Sequence, residues 1–334
     1  MPPARPCTCL LVLADKKLAQ LDELYSCTTE EVLFVPFDPS FGSAGPVDEC
    51  DCVLHKAGYD AVVCAADPSA AQRWDVLMKL SARSLLIEPV DSAVRFSDRG
   101  ELCRALEQLF PVVQQPRFTT LPDAQGASDA VAAAGLVYPL LCKPIIACGP
   151  HGHSLVLIMR DEGLQELCVR RAAAFPFLAQ EYVPHGGFVL KAYRVGDLVH
   201  TQLKRSLPII HDSAGAPALV EFDSQDPLEA MTLTGKAGQG TKPVEAAEGS
   251  TDSPFSAQLM HARADEIRPV VDAIAAHMGV ELLGIDALLA SDGRWLVVDA
   301  NHNSGAPASV PGFAAALARL VRKHVGAMRA GTVL

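Results

Sequence analysis

The fold is decided by residues 281–301, which read ELLGIDALLASDGRWLVVDAN. Two apolar runs of strand length flank the dipeptide Asp-Gly at 292–293, and this dipeptide favours a two-residue type I′ turn. With that turn, Ser291 pairs with Arg294 across the two strands. The stretch therefore predicts a buried antiparallel hairpin.

Counting back from the turn places Asp286 opposite Asp299 and Gly284 opposite Asn301. Cross-strand partners project from one face of a hairpin, with their β-carbons about 5 Å apart. Two carboxylates so close repel each other unless a cation lies between them, and Mg²⁺ prefers oxygen ligands. We therefore predict a magnesium site formed by Asp286, Asp299 and Asn301. The alternative is an acidic hairpin end, either exposed or with one acid protonated.

Length and charge restrict the function. The chain has 334 residues, enough for two or three domains, and a net charge of −11. A charge of this sign argues against a nucleic-acid-binding or membrane-surface protein. No apolar run is long enough to span a bilayer, and the N-terminus does not resemble a signal peptide. We therefore expect a cytoplasmic monomer, without excluding the nucleus.

Ten cysteines occur, all before residue 169 and mostly within apolar runs. This pattern is typical of reduced, buried thiols in an intracellular protein. Two C-x-C pairs, at 7–9 and 50–52, leave structural zinc open as the less favoured alternative.

Three domains are predicted along a chain of the α/β class, a parallel α/β domain followed by two α+β subdomains. Residues 1–105 alternate apolar strands with polar helical stretches, which favours a parallel sheet. Residues 106–199 contain shorter strands separated by Gly and Pro, and residues 200–334 contain the hairpin. Within the last domain, residues 211–257 lack periodicity and predict an irregular, mobile insertion.

Two helices are predicted in the last domain from apolar residues at helical spacing. The first ends at Gly279, and its apolar positions are Ile267, Val270, Val271, Ile274 and Met278. The second closes the sequence, and its apolar positions are Phe313, Leu317, Leu320, Val321 and Met328.

Two lysines lie inside apolar strands, Lys143 in LLCKPII and Lys191 in FVLKAYRV. A buried lysine without an anionic partner is costly. The partner is either a protein carboxylate or a bound phosphate, and neither local segment contains an acid. No G-x-x-x-x-G-K-[ST] loop is present, so a Walker-type phosphate cradle is excluded. The segment 148–154, CGPHGHS, is either a phosphate-facing loop or an ordinary turn, since its H-x-H pair lacks a third metal ligand.

Several segments in chain order resemble one family. They are LADKKLAQLDEL, VLHKAGYD, IEPVDSAVRFSDRGEL, LLCKPIIACGPHGHS, AQEYVPHGGFVLKAYRVGD, LKRSLP and the hairpin. Together they are similar to the inositol 1,3,4-trisphosphate 5/6-kinase (inositol-tetrakisphosphate 1-kinase) family of the ATP-grasp superfamily. The resemblance implies an ATP-grasp fold, in which a parallel α/β domain precedes two subdomains with mainly antiparallel sheets that clamp ATP.

The resemblance also implies an inositol polyphosphate kinase that uses ATP and Mg²⁺, with two ions, and it implies the roles of individual residues. The residues implied to bind the inositol phosphate are Lys17, Lys56, His153, Lys191, Asn301 and Gly305. Those implied to bind ATP are Arg99, Lys143, Gln180, Glu181, Val183, Lys191 and Ser206. The implied metal ligands are those of the hairpin.

Two other functions fit parts of the pattern. An ATP-grasp carboxylate–amine ligase uses the same nucleotide and metal groups, but Lys17 and Lys56 favour a polyphosphate substrate. A non-catalytic nucleotide-binding module is the second alternative. It is disfavoured because all three predicted metal ligands are present.

Overall fold

Three β-sheets of four, four and five strands form the part of the chain that the computed structural model describes. That part comprises residues 6–21, 32–38, 50–82, 84–149, 151–207, 217–224, 257–303 and 310–331. Gly305 and most of the predicted insertion at 211–257 lie outside it. None of the helices in these ranges is both long and apolar enough to cross a bilayer.

The helices and strands of the described residues are numbered here in chain order. The strands are β1 Cys7–Val12, β2 Val32–Pro36, β3 Cys52–His55, β4 Leu85–Leu86, β5 Phe118–Leu121, β6 Leu140–Pro144, β7 Ser154–Ile158, β8 Phe177–Glu181, β9 Phe188–Val195, β10 Leu198–Arg205, β11 Leu219–Asp223, β12 Leu282–Leu289 and β13 Trp295–His302. The helices are α1 Asp15–Leu18, α2 Ala57–Val63, α3 Pro68–Ser81, α4 Val90–Arg95, α5 Arg99–Glu107, α6 Ala127–Ala133, α7 Asp161–Arg170, α8 Ala257–Ala262, α9 Arg268–Met278 and α10 Phe313–Arg329.

The N-terminal sheet is parallel, in the strand order β2-β1-β3-β4. Its central strand β1 is buried along almost its whole length, as expected for a parallel sheet covered on both faces. The parallel α/β prediction for this region is therefore confirmed. Lys17 lies in helix α1, which follows β1, and Lys56 directly follows β3, so both lie at the carboxyl-terminal edge of the sheet.

The central sheet is antiparallel and has the order β11-β7-β6-β8-β5. Its edge strand β11 lies inside the segment 211–257, so the prediction of irregular structure there is wrong at these positions. The alternation in LVEFD explains the strand, because Leu219, Val220 and Phe222 are buried. The rest of that segment lies outside the described residues.

The third sheet is also antiparallel and has the order β10-β9-β12-β13, so it contains the hairpin of residues 281–301. The domain boundaries remain predictions. The chain changes sheet between β8 and β9, however, and not at residue 199. Strand β9 places Lys191 directly beside Asp286 of β12.

Both predicted C-terminal helices are present. The apolar positions of α9 are buried, and Gly279 ends that helix in the left-handed conformation at φ +66°. Helix α10 buries Phe313, Leu317, Leu320 and Val321, but Met328 is exposed. Met328 lies in the last turn of the helix and is not part of its buried face.

Helix α10 packs against both the N-terminal sheet and the third sheet. Its apolar face packs in one buried cluster with residues of β1 and β2 and with Val195 and Leu282 of the third sheet. The N-terminal domain and the hairpin sheet are thus connected through a continuous apolar core. This packing fixes one wall of the cleft described next.

Candidate active site

A cleft of about 1010 Å³ is lined by residues of the two antiparallel sheets and by helices and loops of the N-terminal domain. Every predicted site residue among the described ranges lines it. These residues are Lys17, Lys56, Arg99, Lys143, His153, Gln180, Glu181, Val183, Lys191, Ser206, Asp286, Asp299 and Asn301. The structure therefore brings the predicted set together, while the role of each residue stays a prediction.

The hairpin carries the acidic side of the cleft. Asp286 pairs with Asp299, and Gly284 pairs with Asn301, in the predicted register. The amide of Asn301 donates a hydrogen bond to Asp299 Oδ2 at 3.4 Å. Two carboxylates and one amide oxygen thus converge on the face that meets the cleft.

The turn of this hairpin differs from the prediction. Ala290 N donates to Arg294 O at 2.9 Å, which leaves a three-residue loop that ends at Gly293 with φ +84°. The predicted two-residue type I′ turn is therefore wrong. A type I turn followed by a left-handed glycine is the usual alternative for Asp-Gly sequences. The register at Asp286 is nonetheless the predicted one, because the extra residue Val298 forms a bulge that offsets the shift.

The bulge also provides a partner for Lys143. This lysine is only 5% exposed, and its Nζ donates to the carbonyl of Val298 at 2.7 Å. Burial lowers the pKa of Lys143, and the negative charge of Asp299 opposes that shift. The lysine of the central sheet therefore points directly at the acidic hairpin.

Lys191 has a protein carboxylate as its partner. Its Nζ lies 2.7 Å from Asp286 Oδ2 and 2.8 Å from Oδ1. Burial lowers the pKa of Lys191, but the adjacent Asp286 outweighs burial, so the pKa is raised overall. Of the two partners left open for this lysine, the structure shows the protein carboxylate, which comes from a neighbouring strand.

The donor set fits magnesium. Among the described residues, no group of three or more His, Cys, Asp or Glu side chains is arranged to hold a metal ion. Asp286, Asp299 and Asn301 offer oxygen atoms alone and leave most coordination positions to other ligands. Magnesium is typically held in this way, by one or two carboxylates together with substrate phosphates.

Arg99 holds the glycine loop that follows β6. Its guanidinium donates to Pro144 O at 2.7 Å and to Gly152 O at 2.9 Å. A β-carbon at Gly152 would lie 2.6 Å from Ala147 O, so only glycine fits this close approach. Burial lowers the pKa of Arg99, and Asp299 opposes the shift. Arg99 therefore shapes the loop as well as lining the cleft.

Residues 180–187, which contain three of the implied ATP ligands, begin at the end of β8 and are called the nucleotide hinge. Gln180 is buried, and the side chain of Glu181 accepts a hydrogen bond from Val137 N at 2.8 Å and pairs with Arg117. The Glu181 carboxylate is thus engaged on the far side of the strand. Any contact of Glu181 with a nucleotide would therefore be made by its backbone.

His185 links two predicted nucleotide-binding residues, and the sequence analysis missed it. Its ring nitrogens lie 2.6 Å from Val183 O and 3.0 Å from Ser206 Oγ. Burial lowers the pKa of His185. A histidine between Pro184 and Gly186, in a segment that carries the family resemblance, was the signal that could have identified it.

Cations from the N-terminal domain line the opposite wall. Lys56 Nζ donates to Asn303 O at 3.0 Å, and burial, with Lys17 nearby, lowers the pKa of Lys56 to about 8. Burial and the neighbouring Lys16 lower the pKa of Lys17. His153 lies on the glycine loop, with its Nδ1 3.4 Å from Ser224 Oγ.

Further cleft residues were not singled out from the sequence. Lys204 lines the cleft beside the nucleotide hinge, and burial followed by the charge of Lys191 lowers its pKa. Its signal was its place in LKRSLP, one of the segments that carry the family resemblance. His302 follows the last predicted metal ligand and also lines the cleft.

The fold belongs to the ATP-grasp class. The chain resembles a RimK domain ATP-grasp protein from Sphaerobacter thermophilus at a TM-score of 0.53 and 17% identity, over 94% of this chain and 99% of that one. It resembles the VanG D-Ala:D-Ser ligase from Enterococcus faecalis at a TM-score of 0.57 and 12% identity, over 96% and 99%. At these identities the likeness establishes the fold alone.

The chain belongs to the inositol 1,3,4-trisphosphate 5/6-kinase ATP-grasp domain family, whose model matches residues 111–322. Among its relatives, inositol-tetrakisphosphate 1-kinase 2 of Glycine max is 30% identical over 270 residues, 76% of this chain and 74% of the relative. Inositol-tetrakisphosphate 1-kinase 1 of Zea mays is 27% identical over 239 residues, 68% of this chain.

The chain spans only part of some relatives. The matched region is 64% of the maize protein and 40% of inositol-tetrakisphosphate 1-kinase 6 of Oryza sativa subsp. indica. Family membership and fold are thus established, and they confirm the resemblance drawn from the sequence. Activity and substrates are a matter of proposal.

Proposed function

We propose that this protein is an ATP- and Mg²⁺-dependent kinase that transfers the γ-phosphate of ATP to a ring hydroxyl of an inositol tris- or tetrakisphosphate. The observation that carries the proposal is that lysines line one wall of the cleft and carboxylates line another. Lys17 and Lys56 of the N-terminal domain line the cleft that Asp286 and Asp299 of the hairpin also line. Membership of the kinase family supports the same assignment.

The nucleotide would lie between the two antiparallel sheets. The hinge after β8, with Val183 and Ser206 linked through His185, provides an apolar and polar surface of the kind that adenine requires. Lys143 and Lys191 project from facing sheets and would neutralise the phosphates. Arg99 would hold the glycine loop in the conformation that covers them.

The inositol phosphate would lie against the N-terminal wall. Lys17, Lys56 and His153 present nitrogen atoms to anionic groups, and charged hydrogen bonds to phosphate are among the stronger polar contacts. Lys204 extends this basic surface towards the nucleotide. A ligand with several phosphates suits such spaced cations better than an amino acid does.

Phosphoryl transfer depends mainly on positioning and on charge neutralisation, so a committed general base is not required. When bound, Mg²⁺ at Asp286, Asp299 and Asn301 supplies positive charge to the transferring phosphoryl group. Lys143 and Lys191 would hold the nucleotide phosphates at the hairpin. Lys17 and Lys56 would orient the ring so that one hydroxyl lies in line with the γ-phosphate.

A panel of inositol phosphates incubated with ATP and Mg²⁺, with products resolved by position, tests the proposal. We expect turnover of at least one tris- or higher phosphate and none when EDTA removes the metal. ATP turnover with amino acids or peptides, and with no inositol phosphate, would instead establish a carboxylate–amine ligase. Nucleotide binding with no turnover in either assay would establish a non-catalytic module.

A further inference from the structure

A buried polar cluster lies behind the cleft, between the N-terminal domain and the hairpin. Its members are His55, Glu88, His302 and Asn303, with relative exposures of 1%, 2%, 4% and 9%. Most buried polar groups in proteins are hydrogen-bonded, and in this cluster the Nδ1 of His302 has no partner among the described residues. None of these four residues belongs to the predicted set of ligands.

Glu88 joins the cluster to both strands of the hairpin. Its Oε1 accepts hydrogen bonds from the backbone nitrogens of Glu281 and Leu282, each at 2.6 Å. Its Oε2 accepts a hydrogen bond from the Nε2 of His302. All three bonds cross from the N-terminal domain to the start of β12 and the end of β13.

Asn303 completes the connection to a cation of the cleft. Its side-chain amide donates to His55 O at 3.2 Å, and its backbone carbonyl accepts from Lys56 Nζ at 3.0 Å. The ring of His55 in turn donates to the carbonyl of Glu88 at 2.8 Å. The hydrogen bonds therefore form a closed circuit that includes Lys56 and the hairpin.

Asn303 is held in an uncommon backbone conformation. It has φ +41°, and it is the one non-glycine residue with positive φ among those described. Such a conformation persists only where the surroundings fix it. Here the fixing contacts come from the N-terminal domain, two residues after Asn301.

The partners of Glu88 distinguish this cluster from polar groups that only stabilise the core of one domain. A buried carboxylate is costly unless it is fully hydrogen-bonded, and an apolar pair of similar volume would pack as well. All three bonds of the Glu88 side chain nevertheless go to the hairpin, and its own domain supplies none of them. The cluster therefore determines where the hairpin lies relative to Lys56.

We propose that Glu88 and His302 are positioning residues that fix the metal hairpin against the N-terminal domain and thereby set the separation of Lys56 from Asn301. The inference rests on the proposed function for its catalytic consequence. Neither side chain has to touch a ligand. Glu88 acts through the backbone of β12, and His302 acts through Asn303.

The variant Glu88→Gln in the full chain tests the inference, because it keeps the size of the side chain and removes its charge. Amide hydrogen exchange over 281–283 and 303 should be about tenfold faster, whereas exchange in the central sheet should not change. The KM for the inositol phosphate should rise by about tenfold. The affinity for ATP alone should stay within about twofold.

A matched control is Asp60→Asn, which removes the charge of another buried acid of the N-terminal domain. Asp60 pairs with Arg73 at 2.7 Å, so its side chain bonds within the N-terminal domain. This variant should lower the melting temperature without changing exchange at 281–283. The double variant with His302→Ala should add little to Glu88→Gln, since both remove the same connection.

Two results would overturn the inference. One is unchanged exchange at 281–283 in Glu88→Gln. The other is an equal loss of affinity for ATP and inositol phosphate that parallels the fall in melting temperature, as a merely structural residue would produce. If the unmodified protein bound no inositol phosphate, the proposed function would fail, and the exchange experiment would still decide whether Glu88 fixes the hairpin.

Discussion

At the scale of single residues, the cleft holds cations and carboxylates whose charges depend on one another. Lys191 contacts Asp286 directly, whereas Lys143 and Arg99 bond to backbone carbonyls. Burial lowers the pKa of both Lys143 and Arg99, and the charge of Asp299 opposes that shift without a direct bond. The two hairpin acids are therefore not equivalent. Asp286 pairs with Lys191, whereas no lysine or arginine among the described residues lies within salt-bridge distance of Asp299.

Asp299→Asn should reduce turnover at saturating ATP and Mg²⁺ by about 100-fold, since a bound metal ion contributes several kcal/mol to the transition state. Relief of the repulsion from Asp286 and loss of the attraction to Lys143 act in opposite directions on folding. The melting temperature without nucleotide should therefore change little. Steady-state kinetics and thermal melting measure the two effects.

Asp292→Asn is the control on the same hairpin. Asp292 is exposed at the turn, where it bonds to Arg294 at 2.7 Å, and it does not line the cleft. This variant should retain normal turnover. Near-normal activity of Asp299→Asn in magnesium would show that the proposed metal site is wrong.

Lys56 should make inositol phosphate binding dependent on pH. Burial, with Lys17 nearby, lowers the pKa of Lys56 to about 8, and only the protonated amine attracts a phosphate. The free protein loses this proton as the pH rises through 8. Between pH 7 and 9 the affinity should therefore fall by roughly tenfold beyond any change in the ligand's own charge. Titration calorimetry at several pH values measures it.

Two substitutions serve as controls for Lys56. Lys56→Arg keeps the positive charge throughout this range and should flatten the pH dependence. Lys79→Ala removes a lysine of the same domain that is exposed and paired with Asp75, and it should change nothing. A pH dependence that persisted unchanged in Lys56→Arg would contradict the assignment.

Lys17→Ala should weaken the inositol phosphate far more than ATP. A hydrogen bond to a charged group contributes about 1.5–3 kcal/mol, which corresponds to roughly ten- to a hundredfold in affinity. Separate binding titrations of the two ligands measure the difference. An equal loss of both ligands would mean that the N-terminal domain does not form the substrate wall.

At the scale of elements, the hairpin combines a three-residue turn with a bulge. The turn shifts the register by one residue, and the bulge at Val298 shifts it back before the acids are reached. The bulge also turns the Val298 carbonyl towards Lys143. The tip of the hairpin therefore affects stability, while the bulge affects the site.

Two glycine substitutions test this separation. Gly293→Ala should destabilise the fold by about 1–2 kcal/mol, because Gly293 has φ +84° and a β-carbon would lie 3.2 Å from Arg263. Gly326→Ala should stabilise it by about 0.4–1 kcal/mol, because Gly326 lies within α10 with nothing within 4 Å of its β-carbon position. Denaturant unfolding measures both.

Activity provides the second readout for these glycines. Both variants should keep the turnover and the Mg²⁺ dependence of the unmodified protein at temperatures where each is folded. A change of Mg²⁺ dependence in Gly293→Ala would mean that the bulge does not isolate the acids from the turn. Gly326 is far from the hairpin in sequence and serves as the matched helix control.

At the scale of the whole molecule, an acidic protein with a net charge of −11 carries a cleft lined by several lysines. The negative net charge of the protein repels polyanions, and the lysines of the cleft attract them. Such attraction is screened by salt. We therefore expect the negative charge outside the cleft to restrict polyphosphate binding to the cleft.

Raising the ionic strength from about 0.1 M to about 1 M shortens the screening length from about 10 Å to about 3 Å. The affinity for an inositol polyphosphate should then fall on the order of tenfold, and the affinity for ATP should fall less because its base binds without charge. Lys17→Ala should reduce the salt dependence, and Lys79→Ala should not. Equal salt dependence for both ligands would contradict the separate basic wall.

The sequence by itself determined the elements and the chemical types at the site. Periodicity identified the parallel N-terminal strands, the apolar faces of α9 and most of α10, and the two strands of the hairpin. These features are local, since neighbouring residues fix them through spacing and burial. The pairing of Asp286 with Asp299 was also predicted, although its derivation assumed the wrong turn and no bulge.

The tertiary structure alone decided which distant residues meet. Lys191 finds Asp286 across a strand pair, β11 joins the central sheet from within an irregular sequence, and Glu88 holds the hairpin. Each contact joins segments that are far apart in the sequence, and no local pattern encodes such a contact. It depends on how three sheets and α10 pack around one cleft. Packing buries charged and polar groups, and a buried group of this kind needs a hydrogen-bond or ionic partner.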